Sequence, residues 1–217
     1  QLVVLKMLPF DNKSEFQVVV DMPEGSTLEA TQAVLAELAL ALDQVPEVAS
    51  YQAYAGTAAP INFNGLVRQY YLRAQPIDGD LQVNLVSKDE RHRQSHAIAL
   101  AARPALARIG AAHGASVKVV EVPPGPPVQA PIVAEIYGPD PLVLRELARG
   151  VAEVFASDPD IVDIDTSVEA EAPRELLLVD RARAARLGVD QAEVTATLRA
   201  ALAGHDATYL MDGRSRT

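Results

Sequence analysis

His92 and His96 stand four residues apart, a spacing that on a helix would present two imidazoles to one metal ion. Arg91 and Arg93 flank the first of them and oppose a bound cation, and no His-Glu-x-x-His pattern surrounds the pair. A polar helix start explains the same residues. Asp158, Asp160, Asp163, Asp165, Glu169 and Glu171 form an acidic run. On a strand, Asp163 and Asp165 would share a face, as would Glu169 and Glu171. Paired carboxylates can do acid–base work or bind Ca²⁺, but no Asx-rich calcium loop accompanies them, so the run reads as a solvent-facing strand edge. Arg181, Arg183 and Arg186 lie in "LLLVDRARAARLGV". At about 100° per residue, Arg183 and Arg186 are about 60° apart and Arg181 is about 140° from Arg186. They do not converge, no aromatic residue interleaves them for base stacking, and they read as helix surface. Met7, Met22 and Met211 are scattered and suit core or turn filling better than a soft-metal site. Cysteine is absent, which removes disulfides, zinc-thiolate sites and thiol catalysis. No phosphate-binding glycine loop and no nucleophile elbow occur. These residues point to no enzyme, no cofactor and no resident metal.

The connection "AGTAAPINFNGLVRQYYLRAQPIDG" (55–79) is the anomaly. Compact domains avoid connections this long unless they are functional. It holds Phe63, Tyr70 and Tyr71, three of the chain's aromatics, which number six Tyr and four Phe with no Trp. Small and aromatic residues together can line an adaptable apolar surface. The other reading makes "LVRQYYLR" (66–73) one more strand, in a hairpin with the next.

The elements that would position such a loop follow from periodicity. "FQVVVD" (16–21) is a buried strand. Ser26, three before Glu29, opens a helix by a capping box, and Leu28, Val34, Leu35, Leu38 and Leu42 give it one apolar stripe. "Pro46-Glu47-Val48" ends it and "ASYQAYA" (49–55) is the returning strand. "DLQVNLV" (80–86) alternates by two, a helix runs from about Ser95 to Ala112 with Pro104 as a kink, and "ASVKVVEV" (115–122) closes the unit. The order β-α-β-β-α-β is the split βαβ, or ferredoxin-like, arrangement. A proline-rich stretch in 122–131 reads as a stiff linker.

The pattern then restarts. "IVAEIY" (132–137) is a strand, and Asp140 followed by Pro141 caps a helix. Leu144, Leu147, Ala148, Val151, Val154 and Phe155 line one of its faces. "Pro159-Asp160-Ile161" repeats the earlier Pro-acid-aliphatic break, "VDIDTSV" (162–168) returns as a strand, and "RELLLV" (174–179) is the next. This is an internal structural repeat. Asp180 can cap a short helix that Gly188 ends, and Asp190 with Glu193 a second that runs to Gly204. A sixth strand does not arrive, since "ATYLM" (207–211) is too short to claim. The expected architecture is therefore α+β: two ferredoxin-like subdomains, the second incomplete.

A chain of 217 residues suits one large domain or two small ones, and 49% hydrophobic residues can fill their cores. With so few aromatics those cores must be aliphatic. A net charge of −10 repels phosphate backbones and argues against nucleic acid as a partner. No run of about 18 apolar residues and no signal-peptide pattern occurs. Gln1 without an initiator Met, and the ending "DGRSRT", read as the limits of a piece of something longer.

"LLLVDRARAARLGVDQAEVTATLRAALAG" resembles a strand–Asp-Arg-x-Lys/Arg-Ala-x-x-Leu-Gly–helix pattern. That pattern recurs in periplasmic porter domains of resistance-nodulation-division (RND) efflux transporters of the acriflavine-resistance type. "LPFDNKSEFQVVVDMPEGSTLEAT" resembles the opening of their second large periplasmic loop, and "VPEVASYQAYAG" and "PIVAEIYGPD" fit in the same order. The resemblance implies that 1–125 is a first porter-type subdomain, 126–131 a linker, 132–204 the first part of a second, and 205–217 the start of an inserted docking region. It further implies a proton-driven homotrimer in the inner membrane of a Gram-negative-type bacterium, with this part on the periplasmic side. Its partners would be a periplasmic adaptor, an outer-membrane channel and hydrophobic small-molecule substrates. The 55–79 connection falls where the family has a loop bordering the substrate path. Phe63, Tyr70 and Tyr71, with Asn62 and Asn64, are the candidate substrate contacts. The metal-exporting branch uses a methionine triad here. Val18 falls where its strand methionine would sit, which disfavours copper or silver export. The reading from another class is a free-standing tandem ferredoxin-like module that binds a ligand or a partner.

Overall fold

The computed structural model describes residues 11–122, 130, 132–168 and 175–208, with only the backbone of residues 63 and 64. The chain divides into two compact units, Gln1–Ala172 and Pro173–Thr217. The linker expected at 126–131 falls on residues mostly outside the described ones, as does most of the 205–217 tail.

In the first unit, β1 (Glu15–Asp21) is followed by α1 (Leu28–Leu42), β2 (Val48–Ala55), β3 (Asp78–Leu85), α3 (Ser95–Ala112) and β4 (Ser116–Val120). A short helix, α2 (Phe63–Val67), lies in the long connection between β2 and β3. The strands form one antiparallel sheet in the order β2-β3-β1-β4. Putting β1 in the middle is what a split βαβ requires, because each helical crossover must skip a strand position.

Alternation along each strand sends Phe16, Val18, Val20, Leu81, Val83 and Val119 to one face. Against them pack Val34, Leu35, Leu38 and Leu42 of α1 and Ile98, Ala99, Ala102 and Leu106 of α3. Each of the larger side chains contributes about 1.5–3 kcal/mol by leaving water. Helix and sheet approach closely at Gly110, where a Cβ would lie 2.4 Å from Val117 Cγ2.

Two local expectations need adjustment, the cap of α1 and the 66–73 strand. Thr27, not Ser26, caps α1: its hydroxyl oxygen accepts from the Ala30 amide at 3.3 Å, while the Ser26 amide is committed to the turn through Pro23 O. The helix expected from about Ser95 to Ala112 forms over those residues as α3, with Pro104 inside it. The proline is exposed, so the carbonyl it leaves without a helical donor can bond water. Residues 66–73 are not a strand; they complete α2 and form a 3₁₀ turn, Tyr70–Leu72.

The repeat is only partly realised. In α4 (Pro141–Ala156), Asp140 accepts from the Leu142 amide at 2.9 Å, as its position before Pro141 predicts. The apolar stripe forms, but no α4 residue is buried among the described ones. Neither 132–137 nor 162–168 pairs into a sheet, and 175–179 does not either. The physical reason lies in the topology. The first strand of such a unit is held between its third and fourth, and the described residues contain no fourth. Unpaired, these segments leave Ile132, Val133, Leu176, Leu177 and Leu178 exposed. In the second unit, α5 (Arg181–Arg186) and α6 (Gln191–Ala203) start at Asp180 and Asp190. Gly188 follows α5 with φ +71° and Gly204 caps α6 with φ +79°, conformations that suit glycine.

Candidate functional site

The sheet has a second face, and its residues follow from the same alternation. Gln17, Val19 and Asp21 of β1 point there, beside Asp80 and Gln82 of β3 and Lys118 and Val120 of β4. Val19 pairs with both Asp80 and Lys118, and Gln17 with Gln82. Gln17, Asp80 and Lys118 are buried although α1 and α3 lie on the other side. The 56–77 connection folds back over this face.

Gly56 begins the return at φ +67°, and its amide donates to Asp78 O at 2.8 Å. Asn62 then fixes α2 onto the sheet. Its Oδ1 accepts from the Gly65 amide at 2.7 Å. Its Nδ2 donates to Gln82 Oε1 at 3.1 Å and Gln17 Oε1 at 3.4 Å. Gln17 in turn donates to Asp80 Oδ1 at 3.3 Å. Beyond Gln69, whose φ is +59°, the 3₁₀ turn delivers Arg73 to the end of the two central strands, β1 and β3. Arg73 Nη1 meets Asp21 Oδ1 at 2.5 Å, and Nη2 donates to Val20 O at 2.6 Å and Gly79 O at 3.3 Å. Asp78 lies 3.6 Å from Nη1 and Asp80 Oδ2 lies 3.7 Å from Nε. The guanidinium also sits 5.9 Å from the Tyr70 ring centroid, at the outer limit of a cation–π contact.

The electrostatics of the two inner carboxylates differ. Asp80 is fully buried, and its Oδ2 has no hydrogen-bond partner among the described residues. Burial pushes its pKa up to about 6, against the opposing pull of Arg73, the Ala59 amide and Gln17. Burial also pushes Asp21 up, but Arg73 and Lys118 outweigh it and hold Asp21 below the usual carboxylate range. Lys118 Nζ takes Asp21 Oδ2 at 2.8 Å and Asp165 Oδ2 at 2.5 Å. Nearby, Arg103 pairs with Asp163 and donates to Val119 O at 2.9 Å. The acidic run read as a solvated edge therefore contains two residues that tie it to β4 and α3. Glu169 and Glu171 lie outside the described residues.

The outward side of the connection is different in character. Ile61, Leu66, Tyr71 and Leu72 are all exposed, Tyr71 to 43%. An apolar surface mounted on a polar, ion-paired base is suited to holding an apolar ligand by contact and desolvation. Of the residues singled out in the sequence, Asn62 is a structural anchor in this geometry, Tyr70 is half-buried beneath Arg73, and Tyr71 faces outward. The side chains of Phe63 and Asn64 lie outside the described residues.

Sequence reasoning missed Arg73, Asp21, Asp80, Gln17 and Lys118. The available signal was polar residues at even spacing, Gln17 and Asp21 in β1 on either side of Val19 and Asp80 and Gln82 in β3, which mark a second face within strands taken as buried or merely alternating.

The histidine pair does not share a helix. His92 is in the turn before α3, and His96 Nδ1 is 2.8 Å from Glu121 Oε2. Among the described residues, no three His, Cys, Asp or Glu side chains are grouped to hold a metal ion, and no helix is long and apolar enough to cross a membrane. Val18 packs into the helix-side core, and Met22 is buried.

Residues 3–217 match the model of the AcrB/AcrD/AcrF family. No curated protein matches the chain. Among solved structures it is similar to a heavy metal efflux pump in two crystal forms. Crystal form II gives a TM-score of 0.65 at 21% identity and crystal form I gives 0.66 at 20%, each over 96% of this chain. At that identity the likeness is one of fold. The chain spans 21% of the length of those pump chains.

Proposed function

The chain belongs to the AcrB/AcrD/AcrF family, and from that premise we propose that it is the periplasmic substrate-path portion of a proton-driven RND pump exporting hydrophobic compounds. The parent protein sits in the inner membrane as a homotrimer and works with a periplasmic adaptor and an outer-membrane channel. The observation that carries the substrate class is the outward apolar surface of the 56–77 connection, Ile61, Leu66, Tyr71 and Leu72, held in place by Asn62 and Arg73. Tyr70 and Tyr71, with Asn62, Phe63 and Asn64, are its proposed substrate contacts. Among them Asn62 acts by fixing α2, and Tyr71 by direct contact.

A second reading, metal cargo, takes its support from the similar pump, whose name specifies heavy metals. Soft-metal transport needs sulfur or imidazole ligands on the path. The polar face offers Gln17 and Val19 at β1 instead, and Met22 is in the core. A free-standing binding module is the less favoured reading, because the family match extends over residues 3–217.

The test is export by the full-length protein in a pump-deleted host. Tyr71→Ala should lower efflux of a hydrophobic dye by about tenfold or less, the range of one lost aromatic contact of about 1.4 kcal/mol, at unchanged expression. Protection against Cu⁺ or Ag⁺ with no dye export would overturn the substrate class.

A further inference from the structure

Asp21 closes two ion pairs at once, one with each carboxylate oxygen. Oδ1 takes Arg73 of the 56–77 connection at 2.5 Å, and Oδ2 takes Lys118 of β4 at 2.8 Å. Lys118 also takes Asp165 at 2.5 Å. A line of alternating charge, Arg73–Asp21–Lys118–Asp165, thus runs from the connection, across the sheet, to the segment that follows α4. The two cations are well shielded, the side chains of Lys118 and Arg73 being 8% and 14% exposed, whereas Asp21 is 32% exposed and the terminal Asp165 68%. Asp163, paired with Arg103, holds the same segment two residues earlier.

We propose that Asp21 is a positioning residue that couples the 56–77 connection to the 162–165 segment, so that docking of the segment tightens the hold of the connection on the sheet. The cause is pre-ordering. Asp165 pins the Lys118 ammonium, and Lys118 pins Oδ2 of Asp21. The carboxylate plane is then fixed with Oδ1 facing Arg73, and less side-chain freedom is lost when Arg73 binds. Undocking the segment frees Lys118 first and the Asp21 carboxylate next. The coupling is reciprocal, since the same three ion pairs are read from either end. It goes beyond the pump reading and is measured without any substrate, so failure of one leaves the other standing.

Hydrogen exchange by mass spectrometry on the full chain tests it. Asp165→Asn removes only a charge, because an asparagine can still accept from the Thr166 amide that Asp165 now binds. The amides of Gly56, Gly65 and Leu72 should then exchange about two- to fivefold faster, while those of α1 and β1 stay protected. With Lys118→Gln in place, Asp165→Asn should have no further effect on these amides. In the reverse direction, Arg73→Gln should speed exchange across 161–166 by a similar factor. Unchanged or slower exchange in 56–77 on Asp165→Asn overturns the coupling, as does an equal effect of Asp165→Asn with and without Lys118.

Discussion

Asp80 holds a charge where water does not reach it. Its folded pKa of about 6 lies above the value near 4 expected of an unfolded chain. Between those two values the folded protein binds the extra proton, so stability falls as pH rises through that window, and above it the whole penalty stands, about 3 kcal/mol. Asp80→Asn should therefore raise the thermal midpoint at pH 7.5 by up to about 6–12 °C and flatten the dependence between pH 4 and 6, both read by circular dichroism. A lower midpoint for that variant would show that the Arg73 attraction exceeds the cost of burial. Asp21 runs the other way. Its folded pKa is depressed, so its contribution is present above the ordinary carboxylate range and is lost as pH falls through its folded value. Asp21→Asn should cost about 2 kcal/mol at pH 7.5, because it leaves two shielded cations undercompensated; denaturant titration measures it, and an unchanged midpoint would sink the ion-pair account. Little of this network was legible in the sequence. Gln17, Asp21 and Asp80 could be placed on one strand face by counting, but their burial depends on a connection folding back from Gly56, and no local propensity encodes that.

Elements were more legible, for a physical reason. In the first unit the sequence expectation of β-α-β-β-α-β was met, because each strand and helix owes its pattern to one aliphatic core. Asp140, Asp180 and Asp190 cap the helices they were expected to cap, since capping is a contact between residues two or three apart. Strands 132–137 and 162–168 were not met, because a strand is completed by partners that are distant in sequence. The 66–73 stretch failed as a strand for a local reason: its apolar residues Leu66, Val67, Tyr70 and Tyr71 do not alternate, and Asn62 accepts from the Gly65 amide at the start of α2. One prediction belongs to the packing of α3 on β4. Gly110→Ala would push a Cβ to 2.4 Å from Val117 Cγ2 and 3.0 Å from Ala115 O. It should destabilise by about 1–3 kcal/mol despite the better helix propensity of alanine, as denaturant titration would record. Val117→Ala should recover part of the loss, and a stabilised Gly110→Ala would mean that the helix–sheet spacing is not fixed there.

At the scale of the whole molecule, the first unit is a ferredoxin-like layer with two unlike faces. The helix-covered face supplies the stability. The other carries a charged base and, mounted on it, the connection with its outward apolar residues. This division suits the role proposed above, in which a fixed base presents an apolar surface to cargo. Contact between cargo and this connection can be measured directly, because the chain has no cysteine. Tyr71→Cys, introduced in the full-length protein with any cysteines outside this chain replaced, presents a single thiol on the exposed side of the 3₁₀ turn. The rate of its labelling by a small maleimide is then measured with and without a saturating hydrophobic substrate. Substrate should slow this labelling about fivefold or more, while a thiol at the exposed Leu40 of α1 labels at an unchanged rate. A Tyr71→Cys labelling rate indifferent to substrate, in a protein that still exports it, would contradict contact between cargo and the connection.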